Sequence, residues 1–97
     1  MVENSPWYLE YQALKLDSIE RRKDLLDLIA ETKPLLGTKA LAYACAMETY
    51  YRDDDLLEPI GTTAKEIKNY YWGLHAQFHY SCQVMRSIRT QNSSTED

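Results

Sequence analysis

The chain has 97 residues, 44% of them hydrophobic and 27% charged, with a formal charge of −4 and a pI near 5.1. That length builds one small domain, and the composition excludes disordered, collagen-like and low-complexity chains. The acidic balance disfavours nucleic acid as a partner, because such binding needs a broad phosphate-neutralising surface of Lys and Arg.

Glu3, Glu10, Asp17 and Glu20 interrupt the first part of the chain, so it holds no apolar signal-peptide core. The most apolar stretch, around Ala40–Ala46, is far shorter than the roughly 20 residues of a membrane span. A soluble protein in the cytoplasm is expected, with Cys45 and Cys82 as free thiols and no membrane contact.

Ser5 followed by Pro6 is a helix start: the serine oxygen takes an orphan N–H, and proline suits a first turn that needs no donor. Leu9, Ala13, Leu16, Ile19, Leu26, Ile29 and Ala30 then recur at helical spacing, with Leu25 and Leu28 widening the stripe. The first helix is predicted from Pro6 to about Lys33, where Pro34 stops it, with Asp17 and Ser18 the place for a kink. Thr38 is read as the cap of a second helix, whose Ala40, Ala42, Ala44, Cys45 and Ala46 would let a neighbour come close. That helix is predicted to end near Arg52, before Asp53, Asp54 and Asp55, which would sit badly at the negative end of a helix dipole. Leu56–Gly61 is a connector with room for one helical turn, broken by Pro59.

Thr63 and Glu66 fit a capping box, which opens the third helix. Ile67, Tyr71, Leu74, Phe78, Ser81, Met85 and Ile88 follow in alternating steps of four and three, a seam that faces other helices within the chain or across a dimer. Residues 91–97 contain no large apolar side chain and are expected as a disordered tail after a single helical domain over 1–90. The predicted fold is therefore all-α: an elongated three-helix bundle of two long helices and a shorter middle one, open to completion by dimerisation.

His75, His79 and Cys82 share one face of the third helix at spacings of four and three, residue types and spacing that suit zinc, with Cys45 the natural fourth ligand. No HExxH or CxxC accompanies them, and two histidines beside a buried thiol is the plainer reading. Asp24, Asp27 and Glu48 could serve a helical magnesium enzyme, but carboxylates converging from several helices are lacking, and Asp24 and Asp27 alternate with Arg21, Arg22 and Lys23 as a solvated face does. No nucleophile elbow or phosphate-binding glycine loop occurs, so neither an enzyme nor a cofactor is expected.

Tyrosine stands out: eight residues, where about three are usual for this length. Neighbours on a helix diverge by about 100°, so Tyr50 with Tyr51 and Tyr70 with Tyr71 cannot both face one core. One of each pair shields a flank or meets a partner, and exposed aromatics are typical of interfaces. The middle segment, 38–61, is the acidic pole, with two basic residues against five acidic. The expected function is a small helical protein-interaction module, a regulator, adaptor or inhibitor that self-associates. Its interface would comprise Tyr50, Tyr51, Tyr70, Tyr71 and Trp72 with Asp53, Asp54 and Asp55. The alternative is a metal- or small-ligand-binding protein using His75, His79 and Cys82.

Overall fold

A computed structural model describes residues 6–95, with side chains over 7–91; the expected Ser5 cap lies outside the described residues. Three helices account for almost all of them: α1 Pro6–Thr32, α2 Thr38–Arg52 and α3 Ala64–Thr95. A 3₁₀ turn at Lys33–Leu35 follows α1, and a second, Asp54–Leu57, follows α2. The described residues contain no strand, and none of their helices is long and apolar enough to cross a membrane.

The helices run up, down and up. Glu10 pairs with Lys68 at 3.0 Å, the rings of Tyr11 and Tyr71 are 6.0 Å apart, and Ser18 meets His75 at 2.7 Å. Contacts that rise together along both helices make α1 and α3 parallel. On the other flank of α1 the partners run in reverse: Lys33 holds Glu48 at 2.9 Å, Arg22 holds Asp54 at 2.9 Å and Lys15 reaches Glu58 at 3.5 Å. The α2 arm is thus antiparallel to α1, and the connector after it carries the chain back so that α3 can start beside the beginning of α1. The result is a rod measuring 60 × 17 × 17 Å.

The α3 seam is consumed inside the chain. Tyr71, Leu74, Phe78 and Met85 are buried, and Ser81 among them is buried too. They meet Leu25 and Ile29 of α1 and Ala44, Met47 and Tyr51 of α2. Each large apolar side chain removed from water here contributes roughly 1.5–3 kcal/mol. The seam is therefore not available to a second copy.

The expected α1 stripe is corrected in its first half. Leu9, Leu16 and Ile19 face solvent, whereas Tyr11 and Leu14 pack on the core and Ser18 is fully buried. Apolar spacing alone chose the wrong face, because the buried face is built from a phenol and a hydroxyl that have partners on α3. No break occurs at Asp17 and Ser18: α1 is continuous, and the Ser18 hydroxyl donates back to the Leu14 carbonyl at 2.9 Å.

The α2 start also differs. Gly37, in extended conformation, occupies the cap position and Thr38 is the first helical residue. Of the small residues on α2 only Ala44 is buried, while Ala42, Cys45 and Ala46 are exposed, so they do not draw a neighbouring helix close. The capping box forms as expected: the Glu66 amide donates to Thr63 Oγ1 at 3.1 Å and the Thr63 amide donates to Glu66 Oε1 at 3.2 Å. Helix α3 continues to Thr95, through the 91–95 stretch expected as tail; Glu96 and Asp97 lie outside the described residues.

Candidate functional site

The tyrosine doublets divide as helix geometry requires. Tyr51 is 4% exposed and Tyr50 is 50% exposed. The Tyr51 hydroxyl shares a 2.6 Å hydrogen bond with Ser81 Oγ, which explains the polar member of the α3 seam: it answers a phenol brought in by α2. The Tyr51 ring stands edge-on to Phe78, 5.5 Å between centroids. Tyr50 rests its ring against Tyr51 at 5.0 Å, and its hydroxyl accepts from Gln77 Nε2 at 3.3 Å.

The second doublet fastens the connector to α3. Tyr70 donates to the Leu56 carbonyl at 2.6 Å, and Tyr71 donates to the Leu57 carbonyl at 2.7 Å. Two consecutive phenols thus satisfy two consecutive carbonyls at the end of the 3₁₀ turn. Burial pushes the phenols of Tyr51, Tyr70 and Tyr71 above their ordinary value, since a phenolate would lose its hydration there.

Because aromatic side chains span the seam between α2 and α3, a groove lies along it. Its first basin, about 460 Å³, has Leu56 and Leu74 in its floor, Ile60 and Tyr70 in its walls, and Gly73 at its edge. Its second, about 390 Å³, has Met47 and Tyr51 beneath and Tyr43 and Tyr80 at the rim. Tyr50 and Gln77 belong to both, so the two basins adjoin. No charged side chain lines either basin. Tyr43, Ile60 and Tyr80 are 47%, 76% and 65% exposed, a concentration of apolar surface of the kind that marks a contact site.

The expected interface residues separate into those that build this groove and those that do not. Tyr50, Tyr51 and Tyr70 line it. Tyr71 is fully buried in the core. Trp72, 58% exposed, lies on the α1 flank of α3, its ring edge-on to His75 at 5.4 Å. Asp53, Asp54 and Asp55 are exposed but line neither basin: Asp53 accepts from the Asp55 amide at 3.0 Å, and Asp54 is turned to Arg22 on α1. Their acidity is local, capping the 3₁₀ turn and tying it to α1. Tyr43, Ile60, Gly73 and Tyr80 were not singled out for the interface; their signal was aromatic excess on two helices and a glycine with no helical purpose.

The proposed metal face is divided. His75 is buried with Nε2 committed to Ser18 Oγ, while His79 and Cys82 open onto a separate, shallow depression of about 170 Å³ with Arg21, Asp24 and Arg86. Two guanidiniums beside these groups oppose a cation. Burial raises the Cys82 thiol above its ordinary value, partly opposed by Arg86, which disfavours the ligating thiolate. Cys45 is exposed on α2. Among the described residues no group of three or more His, Cys, Asp or Glu side chains is placed to hold a metal ion. The carboxylates weighed for magnesium fare no better: Glu48 is taken by Lys33 and Arg52, and Asp24 and Asp27 are exposed on α1.

Ser18, His75 and Asp17 have the side-chain types of a hydrolytic triad, with His75 Nδ1 3.6 Å from Asp17 Oδ2. Ser18 is fully buried and gives its proton to the Leu14 carbonyl. The hydroxyl is thus engaged by both the Leu14 carbonyl and His75 Nε2, with no face open to a substrate. The contact is a tie between helices. No protein-family model matches the chain, and the comparisons with curated proteins and with solved structures found no match.

Proposed function

We propose that the chain is a non-catalytic protein-interaction module, a small regulator, adaptor or inhibitor, whose working surface is the aromatic groove between α2 and α3. The observation that carries this reading is the placement of Tyr43, Tyr50, Ile60 and Tyr80, all about half exposed or more, around a floor of buried or half-buried apolar side chains. Tyrosine gives large contact area at small entropic cost and carries a hydroxyl that stays satisfied at a wet rim. A trough between two helices suits a third helix laid along it, anchored by residues at helical spacing. Its lack of charge separates it from the rest of a surface rich in ion pairs, and interface centres are depleted of charge in the same way. The two free cysteines fit a reducing cytoplasm.

Photo-crosslinking in living cells tests the reading. A benzophenone side chain placed at Tyr80 is expected to yield one defined, peptide-mapped protein adduct, and the same probe at Lys23, on the charged face of α1, none. Equal labelling from both positions, or none from Tyr80, would overturn it.

A further inference from the structure

Resting on that reading, we propose that the occupant of the groove is a second copy of this chain, docked across a two-fold axis with the two α3 helices antiparallel and crossing near Gln77. In this arrangement Tyr80 of each copy seats over Gly73 of the other.

Charge is the first argument. Two chains of −4 repel, and identical surfaces meet around the axis of a two-fold contact, so charged residues near it face their own like. The groove is free of charged side chains along both basins, although 27% of the chain is charged. Another exposed apolar patch, Leu16 and Ile19 on α1, has Lys15 in its lining and would set lysine near lysine. The polar groups of the groove are also self-complementary. The hydroxyls of Tyr43, Tyr50 and Tyr80 and the amides of Asn69 and Gln77 each donate and accept, so the same set on a second copy can satisfy them.

Gly73 supplies the register. It lies inside α3, where glycine weakens a helix, and a Cβ built on it meets nothing within 4 Å. Nothing within the chain requires its smallness. Facing the groove, it leaves a hollow two helical turns, about 10 Å, from the exposed ring of Tyr80. A knob and a hole separated along one helix are brought together by a two-fold axis midway between them, which falls at Ala76 and Gln77.

The test is sedimentation velocity of the full chain from about 1 to 200 µM, with circular dichroism confirming the helix content of each variant. Wild type is expected to dimerise within that range, and Tyr80→Arg and Gly73→Asp each to weaken the dimer at least about tenfold. A one-to-one mixture of the two variants is expected to restore it, because each mixed pair keeps one native Tyr80–Gly73 contact and gains an arginine–aspartate contact at the other. Leu16→Lys, on the α1 patch, is expected to change nothing. A wild-type monomer at 200 µM would overturn the proposal, as would a dimer broken by Leu16→Lys and spared by Tyr80→Arg, or a mixture that fails to re-form. If the chain is monomeric while the benzophenone at Tyr80 captures a different protein, the second copy is excluded and the interaction reading stands.

Discussion

Ser18 of α1 and His75 of α3 are buried together and joined at 2.7 Å, 57 positions apart in the chain. The bond leaves His75 Nδ1 as a buried nitrogen with no hydrogen-bond partner. Asp17 Oδ2 lies 3.6 Å away and is engaged by Arg21 Nε at 2.9 Å. Burial lowers the affinity of the imidazole for a second proton and the Arg21 charge lowers it further, with Asp17 opposing.

The acid limb of stability follows. His75 binds protons less readily folded than unfolded, so its contribution is complete above the ordinary histidine value of about 6.5 and is lost as the pH falls from there through the lower folded value. Urea midpoints are expected to drop as the pH falls below about 6.5. His75→Gln keeps a hydrogen-bonding amide for Ser18 and does not titrate, so it is expected to flatten this limb; an unchanged slope would contradict the assignment. Ser18→Ala leaves the buried His75 Nε2 without its partner and is expected to cost about 1–3 kcal/mol at pH 7.5.

The alkaline limb belongs to the buried phenols. Tyr71, Tyr51 and Tyr70 are raised above their ordinary value by burial, so their contribution is present below about pH 10 and is lost as pH rises through the higher folded values. Absorbance at 295 nm is expected to show these three ionising late, together with loss of helix by circular dichroism. Tyr71→Phe, which abandons the Leu57 carbonyl, is expected to cost about 1–2 kcal/mol at neutral pH.

Tyr51 and Ser81 form a closed polar pair inside the bundle. Tyr51→Phe and Ser81→Ala each leave a hydroxyl behind and are expected to cost about 1–2 kcal/mol apiece. The double variant is expected to be more stable than the sum of the two by about 0.5–1 kcal/mol or more, read from denaturant midpoints.

Two glycines should respond oppositely to alanine. Gly61 has φ +126°, and a Cβ there would lie 2.5 Å from the Glu66 Cβ, against the capping box that starts α3. Gly61→Ala is expected to destabilise by about 1–3 kcal/mol. Gly73 has open space around its missing Cβ, so at low micromolar concentration Gly73→Ala is expected to stabilise the isolated chain by up to about 1 kcal/mol. Thermal melts of the two variants under one condition decide both.

The breaks between helices were legible because Pro34, Pro59 and the Thr63–Glu66 box act locally, through backbone donors and fixed dihedrals. The α3 seam was legible because its spacing repeats over three heptads. The buried face of α1 was not: Tyr11 and Ser18 stand outside the apolar stripe, and their partners Tyr71 and His75 lie some 60 positions away. The groove was half legible. The doublets demanded that one ring of each pair turn outward, but which ring, and that Tyr80 and Gly73 join Tyr50, depended on how α2 crosses α3, which no local pattern encodes. The histidine face misled because helical spacing places side chains on a side without saying what already occupies their nitrogens.

The parallel course of α1 and α3 has a kinetic consequence. Nearly every contact between these helices joins residues about 58 positions apart, so the main core cannot begin to form until a loop of more than half the chain has closed. Helix α2, linked to α1 by a short turn, can pair with it early and shorten the remaining search. A bundle whose main packing lies between consecutive helices carries no such delay. This one is expected to fold more slowly than its helix content suggests, with α1 and α2 meeting first and α3 arriving last.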